Sequence, residues 1–389
     1  MAPRTAHWLV LACTSLTILG CPSDDGSDGE AYVYEDALDS LDPLVEPRFQ
    51  HTATALPDGR VLVVGGTLAT PSSMQLDSYV AEVAVWEGDA FVRGASLAEP
   101  RAGHTATALS DGRVVIVGGT THVGAPSPAF GVEVWDPASE SLSAPGSLDF
   151  NLVGHCAVAT PEDRVLIIDD CESSGCTVAS IDPDTGSYES LGGAPSHRYA
   201  LDLDCAALPD GRVVLGGALD EATDEAAPAL DIYDPSSQSF TSVDLPAAFG
   251  REATVAALAS GDVLVIGDAA GVEPGGVGTL GVVYTASGEV RALTGEAGAI
   301  NRAEHLVTPL SDGRALVSGG LVALSPELDD APGVDLVDPA AGTVTPVPGS
   351  EVSFGTRDGH AGALYADGPA LLIGGRVGMD RVATVHVFR

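Results

Sequence analysis

Apolar and polar positions alternate in blocks that recur along most of the chain. Runs such as VLVV (Val61–Val64) and VVIV (Val114–Val117) are apolar without a break. A four-residue run with no polar side is what a strand covered on both faces requires. Immediately upstream lie small, alternating segments, HTATAL at 51–56 and HTATAL at 104–109, which suit a strand close to a crowded axis. Asp-Gly-Arg joins the two at 58–60, 111–113, 210–212 and 312–314. This is turn chemistry, because Asp accepts from nearby backbone amides and Gly tolerates positive φ. Downstream come a third, mostly apolar strand (VAEVAVW at 80–86, ALDIYDP at 229–235) and a more polar fourth.

Aligned on this spacing, seven copies appear, with His51, His104, His155, Leu203, Ala253, His305 and His360 at one equivalent position. The six intervals between them average about 52 residues, the period of a propeller blade. Each copy ends its second strand on a glycine doublet or a variant of one: Gly65-Gly66, Gly118-Gly119, Gly319-Gly320 and Gly374-Gly375, against Asp169-Asp170 and Gly267-Asp268. With the aromatic-Asp-Pro of the third strand, as in VWDP at 134–137, these features resemble the kelch family of β-propellers over residues 31–389. The resemblance implies an all-β, seven-bladed kelch-type propeller with four antiparallel strands per blade. After Gly374-Gly375 one strand remains, ATVHVFR at 383–389. Residues 31–46 are therefore expected to supply the missing fourth strand of the last blade and close the ring.

Forty-seven Gly and 26 Pro among 389 residues, with aromatics at 5%, agree with short strands and tight turns. The charge adds a constraint. The 17 basic residues, all Arg, face 55 acids for a formal net of −38, a surface that repels nucleic acid and anionic membrane. A monomer with no nucleic-acid partner is expected. The first 20 residues hold one Arg and an apolar stretch too short to span a bilayer, as a secretory signal does. ILGC at 18–21 resembles a bacterial lipobox, implying lipidation of Cys21 and membrane contact through that lipid alone. Residues 21–30 are acidic and Gly-containing, a flexible tether. Pro22 stands where an inner-membrane retention Asp would be expected, so the predicted place is the outer membrane or cell surface.

The recurring side chains invite a chemical reading. His51, His104, His155, His305 and His360 could ring the axis, but equivalent positions on separate blades stand too far apart for one ion with bonds near 2 Å. A framework role is expected for them, for Arg48, Arg101, Arg302 and Arg357, and for the glycine doublets. Cys171 and Cys176 are close enough in sequence for a local disulfide; Cys156 and Cys205 fall on first strands of adjacent blades and could pair or simply be buried. GVGTLG at 276–281 precedes a strand rather than a helix and is no phosphate loop. No metal, cofactor or catalytic residue is assigned.

Antiparallel order puts the Asp-Gly turns on one face and the longer second-to-third loops on the other. Long loops on a rigid scaffold are the usual seat of binding. The expected binding face carries Asp220, Glu221, Asp224, Glu225, Asp329 and Asp330. Without a recognisable catalytic constellation, the sequence points to a non-enzymatic scaffold for a protein or glycan ligand. Kelch-like propellers also include copper radical oxidases and sugar mutarotases, and that is the alternative the resemblance carries. The eight Tyr and nine His present are not placed by any family motif.

Overall fold

The computed structural model describes residues 37–41, 44, 46–68, 79–121, 129–172, 175–199, 203–220, 227–245, 253–267, 281–293, 302–303, 305–322, 333–350, 354, 357–365, 368–377 and 380–389. Seven four-stranded antiparallel sheets form, each ordered from an inner first strand to an outer fourth. Blade 1, for example, consists of Thr52–Ala55, Val61–Val64, Glu82–Trp86 and Phe91–Ser96. The seven first strands contact one another in succession, and that of blade 7 (Ala361–Leu364) contacts that of blade 1, so the ring is closed. This is the seven-bladed, four-stranded propeller expected from the recurring spacing.

Closure also proceeds through the chain ends. In blade 7 the strand Val385–Phe388 pairs on one edge with Ala370–Ile373 and on the other with Leu38–Leu41. The register sets Leu38 opposite Phe388 and Leu41 opposite Val385. Ala37 and Arg389 exchange backbone bonds at 3.2 and 3.0 Å, and Leu44 is buried against blades 7 and 1. The N-terminal segment thus completes the last blade and removes two exposed sheet edges.

The unbroken apolar second strands now have a physical reason. Val61 and Val63 pack toward blade 7, whereas Leu62 and Val64 pack toward Ile116 and Trp135 of blade 2. Alternate side chains therefore serve two different inter-blade cores, and all four are fully buried. Fourth strands have a neighbour on one edge only, and Phe91–Ser96 is accordingly half-buried to exposed.

Blade 3 shows what the glycine doublet does. With Asp169-Asp170 in its place, the second strand does not stop but runs from Val165 to Glu172 and turns into Gly175–Ile181. A β-bulge falls between Asp169 and Glu172. In blades 1, 2, 6 and 7, positive φ at both doublet positions (60° and 99° at Gly65 and Gly66) bends the chain out of the sheet; in blade 4 only Gly217 has positive φ.

Candidate functional site

The two faces of the ring are held differently. On the short-turn face, each Arg of an Asp-Gly-Arg turn is clamped by its own Asp (Arg60 Nε to Asp58, 2.8 Å; Arg113 Nε to Asp111, 2.6 Å). Arg60 then reaches Glu140 of blade 2, and Arg113 reaches Asp184 of blade 3, both at 2.6 Å. These pairs join each turn to the Asp-containing turn of the next blade. Being solvent-exposed, each contributes about 0–1 kcal/mol. A groove of about 550 Å³ opens here between blades 3 and 4, walled by Glu162, Asp210, Arg212 and Asp234 among others.

Arg48, Arg101, Arg357 and the recurrent His lie toward the opposite, long-loop face, and they turn inward. Arg48 and Arg101 are fully buried. Arg48 donates to the Gly65 carbonyl and, at 2.6 Å, to Glu82; Arg101 donates to the Gly118 and Gly131 carbonyls and, at 2.9 Å, to Glu133. Among the described residues, Arg357 in blade 7 meets no carboxylate within ion-pair distance. It donates to the Gly374 carbonyl, meets His386 Nε2 at 3.3 Å and lies 4.3 Å over the Phe354 ring. Burial lowers its pKa to about 10. His386 is driven down to about 4, first by burial and then by Arg357, so it is a neutral acceptor.

Four of the recurrent His, those at 51, 104, 155 and 360, key into the glycine doublet of the preceding blade. A Cβ on Gly65 would stand 2.5 Å from the Arg101 carbonyl and 2.8 Å from the His104 ring, so only glycine leaves room. His155 lies likewise against Gly118, His360 against Gly319 and His51 against Gly374. The amides of Gly320 and Gly375 donate to the carbonyls of Arg357 and Arg48. Two rings also bridge back to the preceding first strand, His104 to Thr52 at 3.1 Å and His155 to Thr105 at 2.8 Å; His360 meets Ser318 at 2.7 Å. Burial depresses His51 to about 3 and His155 to about 4, with Arg48 adding to the effect at His51. His104 is held well below its usual value by burial and then by Arg101.

The exceptions fit this geometry. Blade 3 lacks the doublet, and blade 4 carries Leu203 where the His would stand. The inter-blade link between them is covalent: Cys156 and Cys205 form a disulfide, Cα to Cα 5.8 Å. Cys176 is disulfide-bonded too; the Cys171 side chain lies outside the described residues. From blade 4 to blade 5 the link is Asp204, which accepts from the Val255 amide at 2.8 Å. Burial raises Asp204 to about 6.

The sequence-predicted binding acids are only partly placed. Asp220 is exposed at the end of a short ladder between Ala218–Leu219 and Arg198–Tyr199. Glu221, Asp224, Glu225, Asp329 and Asp330 lie outside the described residues, as do Cys21 and the segments at 1–20 and 21–30. Arg302 begins a ladder with Leu321–Val322, its side chain also outside them. What sequence reasoning missed was a set of buried third-strand acids. Glu133 neutralises Arg101, and Asp231 faces His197 Nδ1 at 3.3 Å. An acid interrupting an otherwise apolar third strand was the available signal.

Among the described residues, no three His, Cys, Asp or Glu side chains converge as an ion site. The recurrent His are spread around the ring, His197 faces Asp231, and His386 faces Arg357.

No protein-family model and no curated protein matches the chain. Among solved structures it is similar to a fungal alcohol oxidase of the AA5 family in complex with copper. The TM-score is 0.64 at 16% identity, over 92% of this chain and 76% of that one. At that identity the likeness establishes the fold. It also overturns the expectation that the chain is not an enzyme: that expectation rested on a missing motif, and a divergent chain on a fold that hosts alcohol oxidation can lack the motif without lacking a site.

Proposed function

We propose that this chain is a lipid-anchored cell-envelope propeller that binds a protein or glycan through its long-loop face. The observation that supports it is the contrast between the faces. One is cross-braced turn to turn by Arg60 and Arg113. On the other, the recurrent Arg and His are consumed by the framework, leaving the long loops to vary on a rigid ring. Cys21 carries the lipid, residues 21–30 are the tether, and the outer membrane or cell surface is the place. Two experiments test this. Cys21→Ser should abolish metabolic labelling with a fatty acid. Replacing residues 69–78 by a Gly-Ser linker should remove binding to envelope protein or glycan fractions, whereas Arg60→Ala should not. Equal binding by both variants would reject the loop face.

The fold shared with a copper alcohol oxidase favours a second reading, oxidation of an alcohol or sugar hydroxyl. Copper content after purification, together with oxygen uptake on primary alcohols and galactose, tests it.

A further inference from the structure

A second groove, of about 390 Å³, opens on the long-loop face of blade 1. Its polar wall consists of Glu46, Tyr79, Glu82, Arg93 and Ser96, with Leu68 as an apolar edge. A β-bulge between Glu82 and Ala84 breaks the pairing of the third and fourth strands beside it, and bulges characteristically re-aim side chains. Glu82 is 14% exposed. One oxygen lies 2.6 Å from buried Arg48 and the other 2.9 Å from Arg93. Arg93 in turn stands 3.5 Å from Glu46, and both are about half exposed. Charges therefore alternate from Arg48, buried behind the groove, to Glu82, Arg93 and Glu46 on its wall, and the four sum to zero. Gly94 adds no side chain; a Cβ there would sit 3.4 Å from the Trp135 ring. Tyr79 is steadied by a bond from its hydroxyl to Thr120 at 3.1 Å.

This lining selects by chemistry. An anion meets two carboxylates, a cation meets the Arg93 guanidinium, and an apolar ligand would strip water from paired charges without replacing its hydrogen bonds. A neutral ligand with adjacent hydroxyls can donate to a carboxylate and accept from the guanidinium together. Its C–H face can rest on Leu68 and the Tyr79 ring. We propose that the blade 1 groove is a binding subsite for a neutral sugar unit of a glycan. The volume falls at the small end of the range for ligand pockets, about 300–1,000 Å³. The proposal rests on the long-loop face being the binding face, and it names the ligand class and the place.

The test uses the full chain on an array of neutral and charged oligosaccharides, followed by calorimetry with the tightest neutral one. Arg93→Ala should weaken binding about tenfold or more, the loss expected for charge-assisted hydrogen bonds. Glu46→Gln should weaken it several-fold. Glu162→Gln, in the groove on the opposite face, should leave it unchanged, and all three should unfold at the wild-type temperature. Neutral-glycan binding that Arg93→Ala and Glu46→Gln leave intact overturns the subsite but not the binding face. Binding of charged oligosaccharides only, or of none, overturns the subsite as well; the loop-replacement experiment then decides the face separately.

Discussion

Replacing both Cys156 and Cys205 by Ala should be the most informative single perturbation of the ring. Every other described link between neighbouring first strands is non-covalent, whereas this one joins blades 3 and 4 across a separation of 49 residues. Closing a loop of that length removes about 14 cal/mol/K of entropy from the unfolded chain, or about 4 kcal/mol at 25 °C. Unfolding entropy near 2.1 cal/mol/K per residue amounts to about 0.7 kcal/mol/K for a propeller of this size. The double variant should therefore melt about 5–6 °C below wild type by scanning calorimetry without reductant. Reductant should lower wild type by at least as much and shift the variant less, because among the described residues only the bond at Cys176 remains to be reduced. A fall below about 1 °C would refute the reasoning, since the disulfide would then not be constraining the unfolded chain.

Acid should destabilise the ring well before its surface carboxylates protonate. Folded His51, His155 and His386 sit at about 3, 4 and 4, against about 6.5 unfolded, so between those values only the unfolded chain takes up their protons. Their contribution is complete above about pH 6.5 and is lost as pH falls toward the folded values. Asp204, raised to about 6, acts in the opposite sense between about pH 4 and 6. Three protons against one leave a loss of about 2.7 kcal/mol per pH unit near pH 5. Urea unfolding at pH 7, 6 and 5 measures it, and a flat profile would contradict the buried neutral histidines. Gly65→Ala should cost about 3 kcal/mol or more, because it combines left-handed strain with collision against the Arg101 carbonyl and His104. Gly103→Ala, with φ of 64° but nothing within 4 Å, should cost only the strain, about 1–2 kcal/mol. Equal costs in urea titrations would refute the keyed doublet. His104→Ala should lose about 2–3 kcal/mol from the Thr52 bond and the vacated space.

Much of the fold was legible because blade geometry writes itself into short-range spacing. An apolar run, an Asp-Gly turn and a glycine doublet each have a local cause, and their recurrence supplied the blade count. The N-terminal strand of blade 7 could be read from the strand left over beside it. What could not be read was the partner of each recurrent residue. His104 serves Gly65 and Thr52, the latter 52 residues upstream, and nothing local to HTATAL names them. The sequence offers no consistent rule for the pairing: blade 4 has no His where blade 3 has no doublet, but blade 6 keeps His305 after the Gly267-Asp268 of blade 5. Third-strand Glu133 and Asp231 interrupt apolar strands, but nothing near them in sequence names the Arg101 and His197 that they meet. The binding site is less legible than the framework, since loop sequences carry no period.

Closure of the ring by the N-terminal strand is tested most directly by residue-resolved amide exchange on the full chain and on a chain lacking residues 1–41. In an antiparallel ladder successive amides point to opposite edges, and Arg389 donates to Ala37. Deletion should therefore release the amides of Val385, Val387 and Arg389 while His386 and Phe388, which face Ala370–Ile373, stay protected. Unchanged protection at Val387 and Arg389 would contradict the closure.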